Sequence, residues 1–141
     1  MASLIPKFAK KEITDNWVNN ETWKLMLLKN TFTPNAGTQQ FVADVLPATY
    51  EITDSGGVYT AGGVAISGKA SLADTNNYSL DANDVSIGPG ATLTYRYGIL
   101  FKDIGNQVTS PIRAIIDFGD QSVVNGTSII EWNALGIIYL T

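Results

Sequence analysis

The chain has 141 residues, of which 45 % are hydrophobic and 16 % charged, against roughly 25 % charged residues in an average soluble domain. These values predict one folded domain rather than a disordered chain. Cysteine and histidine are both absent. Their absence excludes disulfides, thiolate or imidazole metal sites and any catalytic triad with a histidine base. We therefore expect neither a cofactor nor a metal.

The net charge of -4 is unevenly distributed along the chain. Residues 1–29 carry five lysines against three carboxylates, whereas residues 30–141 carry four cations against ten carboxylates. Because an acidic body disfavours contact with nucleic acid, no nucleic-acid partner is expected. The first residues lack the apolar segment of a secretory signal, and no apolar run approaches the roughly 18 residues of a membrane span. The sequence thus predicts no membrane partner.

Most of the chain consists of short apolar runs separated by glycine, asparagine and proline, a pattern typical of β-strands and turns. Gly88-Pro89-Gly90 is expected to interrupt the chain between two groups of strands. The strands expected before it are, in chain order, residues 22–28, 41–46 (a strand or one helical turn), 64–72, 78–80 and 85–87.

Residues 92–101 show the clearest strand pattern. Every odd-numbered residue from Leu93 to Phe101 is apolar or aromatic, and the even-numbered ones are mostly polar or small. A half-buried antiparallel strand requires this alternation, which predicts one apolar face. Leu100 breaks the pattern, and we therefore expect the end of the strand to be covered on both faces.

The last third of the chain predicts three more strands. They cover residues 112–117, 127–132 and 136–140, and Asn125-Gly126 predicts a tight turn before the second of them. Residues 13–28 are a poor helix candidate, because they include several weak helix formers. Eight or nine short strands without intervening long helices predict an all-β fold, an antiparallel β-sandwich of jelly-roll or immunoglobulin-like type. We expect this single domain over residues 13–141, after an extended N-terminal arm over residues 1–12.

Two carboxylate pairs, Asp81 with Asp84 and Asp117 with Asp120, are the candidates for acid–base chemistry. Residues three apart in a strand face opposite sides, so neither pair converges without a turn, and we interpret them as turn and edge carboxylates. Asp74, Asp81 and Asp84 offer oxygen ligands for calcium but lack the spacing of a known loop. We therefore expect no catalytic residues.

Several segments resemble one family of small, poorly characterised virion structural proteins of tailed bacteriophages. The resemblance covers roughly residues 20–141. The segments that carry it are Tyr59-Thr-Ala-Gly-Gly-Val-Ala-Ile-Ser-Gly-Lys69, Leu80-Asp-Ala-Asn-Asp-Val-Ser-Ile87, Tyr95-Arg-Tyr-Gly-Ile-Leu-Phe-Lys-Asp103, Ile112-Arg-Ala-Ile-Ile-Asp-Phe-Gly-Asp120, Ile129-Ile-Glu-Trp-Asn133 and Gly136-Ile-Ile-Tyr-Leu140.

The resemblance implies a particle component without enzymatic residues. The leading hypothesis is a capsid decoration (cement) protein, made in the host cytoplasm, that forms a homo-oligomer, in particular a trimer, on the major capsid protein at the head surface. A tail, fibre or baseplate component is the alternative within structural proteins. A carbohydrate-binding sandwich on the virion, with Trp17, Trp23 or Trp132 as sugar platform, is another, and an enzyme is the third class.

The basic start of the chain and one tryptophan are the candidate contact residues. Lys7, Phe8, Lys10 and Lys11 combine charge with one apolar anchor, which suits a strap that orders on its partner. Trp17 is the tryptophan expected to be most exposed, because Trp132 alternates with Ile130 in a strand pattern.

Overall fold

The computed structural model describes residues 3–140, which form two antiparallel sheets in an open arrangement. The fold is mostly β with antiparallel sheets, and the prediction is confirmed to that extent, whereas the helix over Lys7–Asn20 was not predicted. The seven strands are β1 (Trp23–Leu28), β2 (Val64–Ala65), β3 (Ala70–Ala73), β4 (Tyr78–Asp81), β5 (Val85–Lys102), β6 (Ile112–Ile130) and β7 (Ile138–Leu140). The helical elements are α1 (Lys7–Asn20), a 3₁₀ helix (Val42–Val45) and the single turn α2 (Pro47–Tyr50).

The larger sheet has the strand order β2-β1-β5-β6, and the smaller one has the order β3-β4-β7. β1 pairs with the second half of β5 only, from Trp23 opposite Lys102 to Leu28 opposite Tyr97. β6 pairs with β5 along its whole length, from Phe101 opposite Ile112 to Val85 opposite Ile130. β6 is therefore one of the two edge strands of the larger sheet, with β2 at the other edge.

β5 and β6 form one long hairpin of 18 and 19 residues, where the sequence predicted several short strands. Two of those predictions are wrong. Gly88-Pro89-Gly90 lies inside β5 and Asn125-Gly126 lies inside β6, and the pairing register shifts beside both. Asn125 adopts a φ of 47°, and its N–H donates to Thr92 Oγ1 at 2.9 Å. Turn-forming residues therefore create β-bulges here, which bend the hairpin without ending it.

The second half of β5 is covered on both faces, as Leu100 predicted. Leu100 is fully buried on the face with Trp23 and Leu25, and Ile99 is fully buried on the opposite face with Met26. Residues 92–101 do not form the expected single apolar face. Because the register shifts between Tyr95 and Tyr97, the two tyrosines join different core clusters.

The start of the chain differs from the expected extended arm. Residues 7–12 are the first half of α1, which also continues past residue 12, where we expected the arm to end. Residues 7–13 are mostly good helix formers, and Pro6 stands at the helix boundary, as is common for proline. Contacts to the smaller sheet stabilise the helix, in which Lys10 and Thr14 are buried. Residues 1 and 2 lie outside the described residues.

Candidate interaction surfaces

Three apolar side chains just before and within the first turn of α1 project into solvent. The exposed fractions are 93 % for Leu4, 58 % for Ile5 and 77 % for Phe8. We call these three residues the N-terminal apolar segment. Single exposed apolar residues are ordinary on protein surfaces, whereas three of them within five positions form a patch suited to a contact.

Helix α1, which begins at Lys7 and therefore carries Phe8 but not Leu4 or Ile5, is fixed to the smaller sheet. The Lys10 ammonium donates to the Asn76 carbonyl at 3.0 Å and to Asn77 Oδ1 at 2.9 Å. One turn later, the Thr14 hydroxyl lies 2.6 Å from that of Ser71. Because these polar contacts hold α1 against the smaller sheet, the position of Phe8 on the helix is fixed.

The four predicted contact residues therefore have different environments. Lys7 lies over the Tyr78 ring, with its ammonium 5.4 Å from the ring centre. Lys11 forms an ion pair with Asp15, and its hydrogen bond to that carboxylate raises the pKa of Lys11 above its usual value. With Lys10 buried, Phe8 is the member of the set whose side chain is mostly exposed.

Trp17 is half-buried rather than the open aromatic platform that the sequence suggested. Its ring centre lies 5.6 Å from that of Trp23, and its side chain packs against the larger core cluster. The Lys69 ammonium donates to the Trp17 carbonyl at 2.6 Å and also to the Glu21 carbonyl. Trp17 thus joins α1 to the core.

An ion pair between Glu21 and Arg113, next to the end of α1, was not predicted from the sequence. Both carboxylate oxygens of Glu21 accept hydrogen bonds from Arg113 at 2.8 Å, and Trp23 Nε1 donates to Oε1 at 2.9 Å. Burial alone would raise the pKa of Glu21, but the hydrogen bonds from Arg113 and Trp23 outweigh it and lower the pKa. Because Glu21 and Arg113 are 92 residues apart, no local pattern could pair them. The pair fixes the end of α1 to β6.

Asp54 organises the loop that faces the first half of β5. Its carboxylate accepts backbone N–H bonds from Gly56, Val58 and Thr92 at 2.8 Å and from Tyr59 at 2.9 Å. These bonds, with the Thr92 N–H making the largest contribution, lower the pKa of Asp54 to about 2. The carboxylate is occupied by three N–H groups of its own loop and by that of Thr92 in β5, which indicates a structural role in joining the loop to the strand.

A groove of about 420 Å³ lies beside this loop, next to the end of β1. Its floor includes the buried side chains of Ile52 and Leu93, and Val124 stands exposed at its rim. Hydroxyl groups supply most of its polar lining: Thr31, Thr53, Ser55, Thr92, Thr94 and Ser122.

The outer edge of β6 is the longest open strand edge of the described residues, since β6 pairs with β5 and with no other strand of residues 3–140. We call residues 112–120 the proximal half and residues 121–130 the distal half. The proximal half contains Arg113, Asp117 and Asp120, whereas the distal half contains no charged residue and no proline. In the distal half, Val124 is 77 % and Ile129 59 % exposed.

Three of the five candidate aspartates, Asp74, Asp84 and Asp117, accept hydrogen bonds within the protein. Asp117 holds Arg96 through two bonds of 3.0 Å, and Asp84 accepts the Trp132 N–H at 3.1 Å. Asp74 accepts from the Tyr139 hydroxyl at 2.7 Å. Within residues 3–140 no group of three acidic side chains is arranged to hold a metal ion.

None of the helices within residues 3–140 has the length and apolar character needed to cross a membrane. No protein-family model, curated protein or solved structure matches this chain.

Proposed function

We propose that the protein is a non-enzymatic structural component of a tailed-bacteriophage virion. In this proposal it is a capsid decoration protein that stabilises contacts between capsid subunits on the head surface. The sequence resemblance over residues 20–141 supports the choice of virion. We also propose that the two sheets pack as a β-sandwich of jelly-roll or immunoglobulin-like type.

The observation that carries the proposal is the N-terminal apolar segment, of which Phe8 lies on the fixed helix α1 and Leu4 and Ile5 directly precede the helix. Burying one large apolar side chain contributes about 1.5–3 kcal/mol, so Leu4, Ile5 and Phe8 together can support a firm attachment. The proposed partner of this segment is the major capsid protein. Lys7 and Lys11 lie beside Phe8 and would add charge at the rim of such a contact.

Self-association is the second part of the proposal. Closed symmetric oligomers are the usual way in which proteins cover open strand edges, and a trimer matches the three-fold positions of an icosahedral shell. Light scattering of the purified protein at micromolar concentration tests this part. A strictly monomeric protein that also sits singly on the particle would contradict it.

Attachment is tested with the triple variant Leu4→Ser, Ile5→Ser, Phe8→Ser, added to phage particles that lack the protein. Because these side chains are exposed, the thermal midpoint should stay close to that of the wild type. Loss of three apolar contacts should weaken binding to the particle by about tenfold or more, since about 1.4 kcal/mol corresponds to a factor of ten. Co-sedimentation with the particles measures this.

The matched control is Val108→Ser, which removes an equally exposed apolar side chain from the β5–β6 loop. It should bind particles like the wild type. If the triple variant also binds normally, the N-terminal apolar segment is not the attachment point and the proposal loses its main support.

A further inference from the structure

The distal half of β6 lacks charged residues and prolines, two of the usual protections of an edge strand. Natural edge strands avoid unwanted pairing by being short, by carrying lysines or prolines, by bulging or by being covered. The proximal half follows this rule, because it has Arg113, two aspartates and a bulge at Gly119, where φ is 71°. The distal half has ten uncharged residues in sequence, from Gln121 to Ile130.

The outward side of this edge is exposed and partly apolar. Thr127 and Ile129 point to solvent, while Ile130 is buried and the Ser128 hydroxyl lies 2.8 Å from that of Tyr95. This alternation is that of a regular strand with one face on the core. A bulge at Asn125 bounds this stretch on one side, and the pairing with β5 is also irregular between Gly126 and Ser128. Residues 126–130 nevertheless stay within β6 and have no strand partner on their outer side among residues 3–140.

The backbone of such an edge recognises another extended strand, because only a strand presents donors and acceptors at the matching spacing. We propose that the partner is a second copy of this chain, whose residues 126–130 pair antiparallel with the same residues about a two-fold axis near Ser128. The absence of charged residues in this strand favours a second copy of the chain as the partner. A strand that pairs with itself in this way brings its own residues close together, which is costly for a charged strand and free of repulsion for this one.

The register about Ser128 places Thr127 opposite Ile129 of the second copy. The nearest charged residue, Glu131, then stands opposite Asn125 of the second copy, so that no two carboxylates face each other. The contact is isologous: each copy uses the same surface.

This inference deepens the proposed function and rests on it for its biological setting. Neighbouring three-fold positions of an icosahedral shell are related by two-fold or near-two-fold axes. Pairing of β6 edges would therefore connect one trimer to the next, and the connected trimers would form a network around the head. The pairing itself is a property of the protein and can be measured without particles.

Cysteine cross-linking tests the register, since the chain has no cysteine of its own. Thr127→Cys and Ile129→Cys are prepared separately and then mixed under mild oxidation. Directly opposed residues in antiparallel strands have Cα atoms about 4.5–5.5 Å apart, a distance that a disulfide can span. The mixture should give at least about five times more cross-linked dimer than either variant alone. Equal cross-linking in all three samples would overturn the register.

A charge exchange tests the pairing itself. The double variant Thr127→Lys, Ile129→Lys places a lysine opposite a lysine at both positions. It should lower the mass that sedimentation gives for the wild type to that of the species not paired through β6. The matched double variant Thr127→Lys, Ile129→Glu places opposite charges there and should restore the wild-type mass. All these positions are exposed, so melting curves should show folded proteins. If the double-lysine variant associates like the wild type, the β6 edge is not the contact.

The result also separates this inference from the proposed function. A double-lysine variant that remains trimeric and binds particles, with the wild type showing no further association, overturns the edge pairing and leaves the decoration role standing. Cross-linking at β6 in a protein that never binds particles supports the edge pairing and removes the decoration role.

Discussion

The two halves of β5 differ in what lies beside them. Residues 97–102 lie between β1 and β6, and residues 97–101 are all buried. Residues 85–95 have β6 on one side, while on the other the Asp54 loop contacts them at Thr92, whose carbonyl accepts the Ser55 N–H at 3.2 Å. Here buried and exposed residues mostly alternate. The first region makes the core of the larger sheet, and the second supports the groove and the open β6 edge.

This comparison shows that one strand can serve two purposes when its neighbours end at different places. β1 ends at Leu28, and beyond that point β5 is held by a single partner strand and a loop. The distal half of β6 begins at Gln121, opposite Tyr95, where β1 no longer pairs with β5. Substitutions of buried residues should therefore lower the free energy of unfolding by different amounts in the two halves of β5.

The largest effect is expected at Tyr97, in the half between two strands. Its ring packs edge-on against Phe32 at 5.6 Å between centres, and the side chain is buried. Tyr97→Ala should lower the free energy of unfolding by about 3–5 kcal/mol through lost burial and a remaining cavity. Denaturant unfolding measures this. Thr94→Ala, at an exposed position of the other half, is the control and should change stability by less than about 0.5 kcal/mol.

A smaller effect is expected at Ile87, which is buried in the half with one partner strand. Ile87→Ala should cost about 2 kcal/mol, the lower end of the range for such a truncation, because the bulged region can collapse around the gap. The adjacent exposed Ser86→Ala should be close to neutral. A cost for Ile87→Ala equal to that for Tyr97→Ala would contradict the difference between the halves.

The contribution of the Asp54 carboxylate to stability should depend on pH only in the acid range. The pKa of Asp54 is lowered to about 2 in the folded protein from 3.8, so its stabilising contribution is fully present above about pH 4. That contribution is lost as the pH falls through about 2. Asp54→Asn should flatten this part of the stability curve, which melting points at pH 2–5 will reveal. Asp120→Asn, which removes an exposed carboxylate elsewhere, should keep the wild-type slope.

The smallest effect is expected at the exposed carboxylates of the proximal half of β6. Asp117 pairs with Arg96, and both side chains are more than a third exposed, so Asp117→Asn should change the free energy of unfolding very little. Asp120→Asn should cost no more. Both variants should be incorporated into particles normally. A variant that folds like the wild type but is not incorporated would identify a functional site at this bulge.

Strands whose apolar pattern is local could be predicted from the sequence. Residues 22–28 and 92–101 are examples, and the burial of Leu100 on a second covered face followed from one break in the alternation. The length of β5 and β6 could not be predicted, because Gly88-Pro89-Gly90 and Asn125-Gly126 make turns in most contexts. Only pairing with the neighbouring strand converts them into bulges.

The helix and most of the candidate site depend on contacts between distant residues. Asn16, Asn19 and Asn20 weaken the helix pattern of α1, and its stability comes from partners such as Asn77, which is 67 residues from Lys10. The exposure of Phe8 could be expected from its position among lysines, whereas the burial of Lys10 could not. The absence of charge in the distal half of β6 was visible in the sequence, but its position at a sheet edge required the strand order.

The pairing of β1 with β5 also sets an order of events in folding. Leu28 lies opposite Tyr97, so the pairing closes a loop that contains everything between them, and such long-range closure is slow. β5 and β6, by contrast, are joined by a short connection and can pair first. During synthesis the apolar run of β1 therefore waits, without its sheet partner, until β5 has been made. In this interval it is a site where newly made chains can associate wrongly.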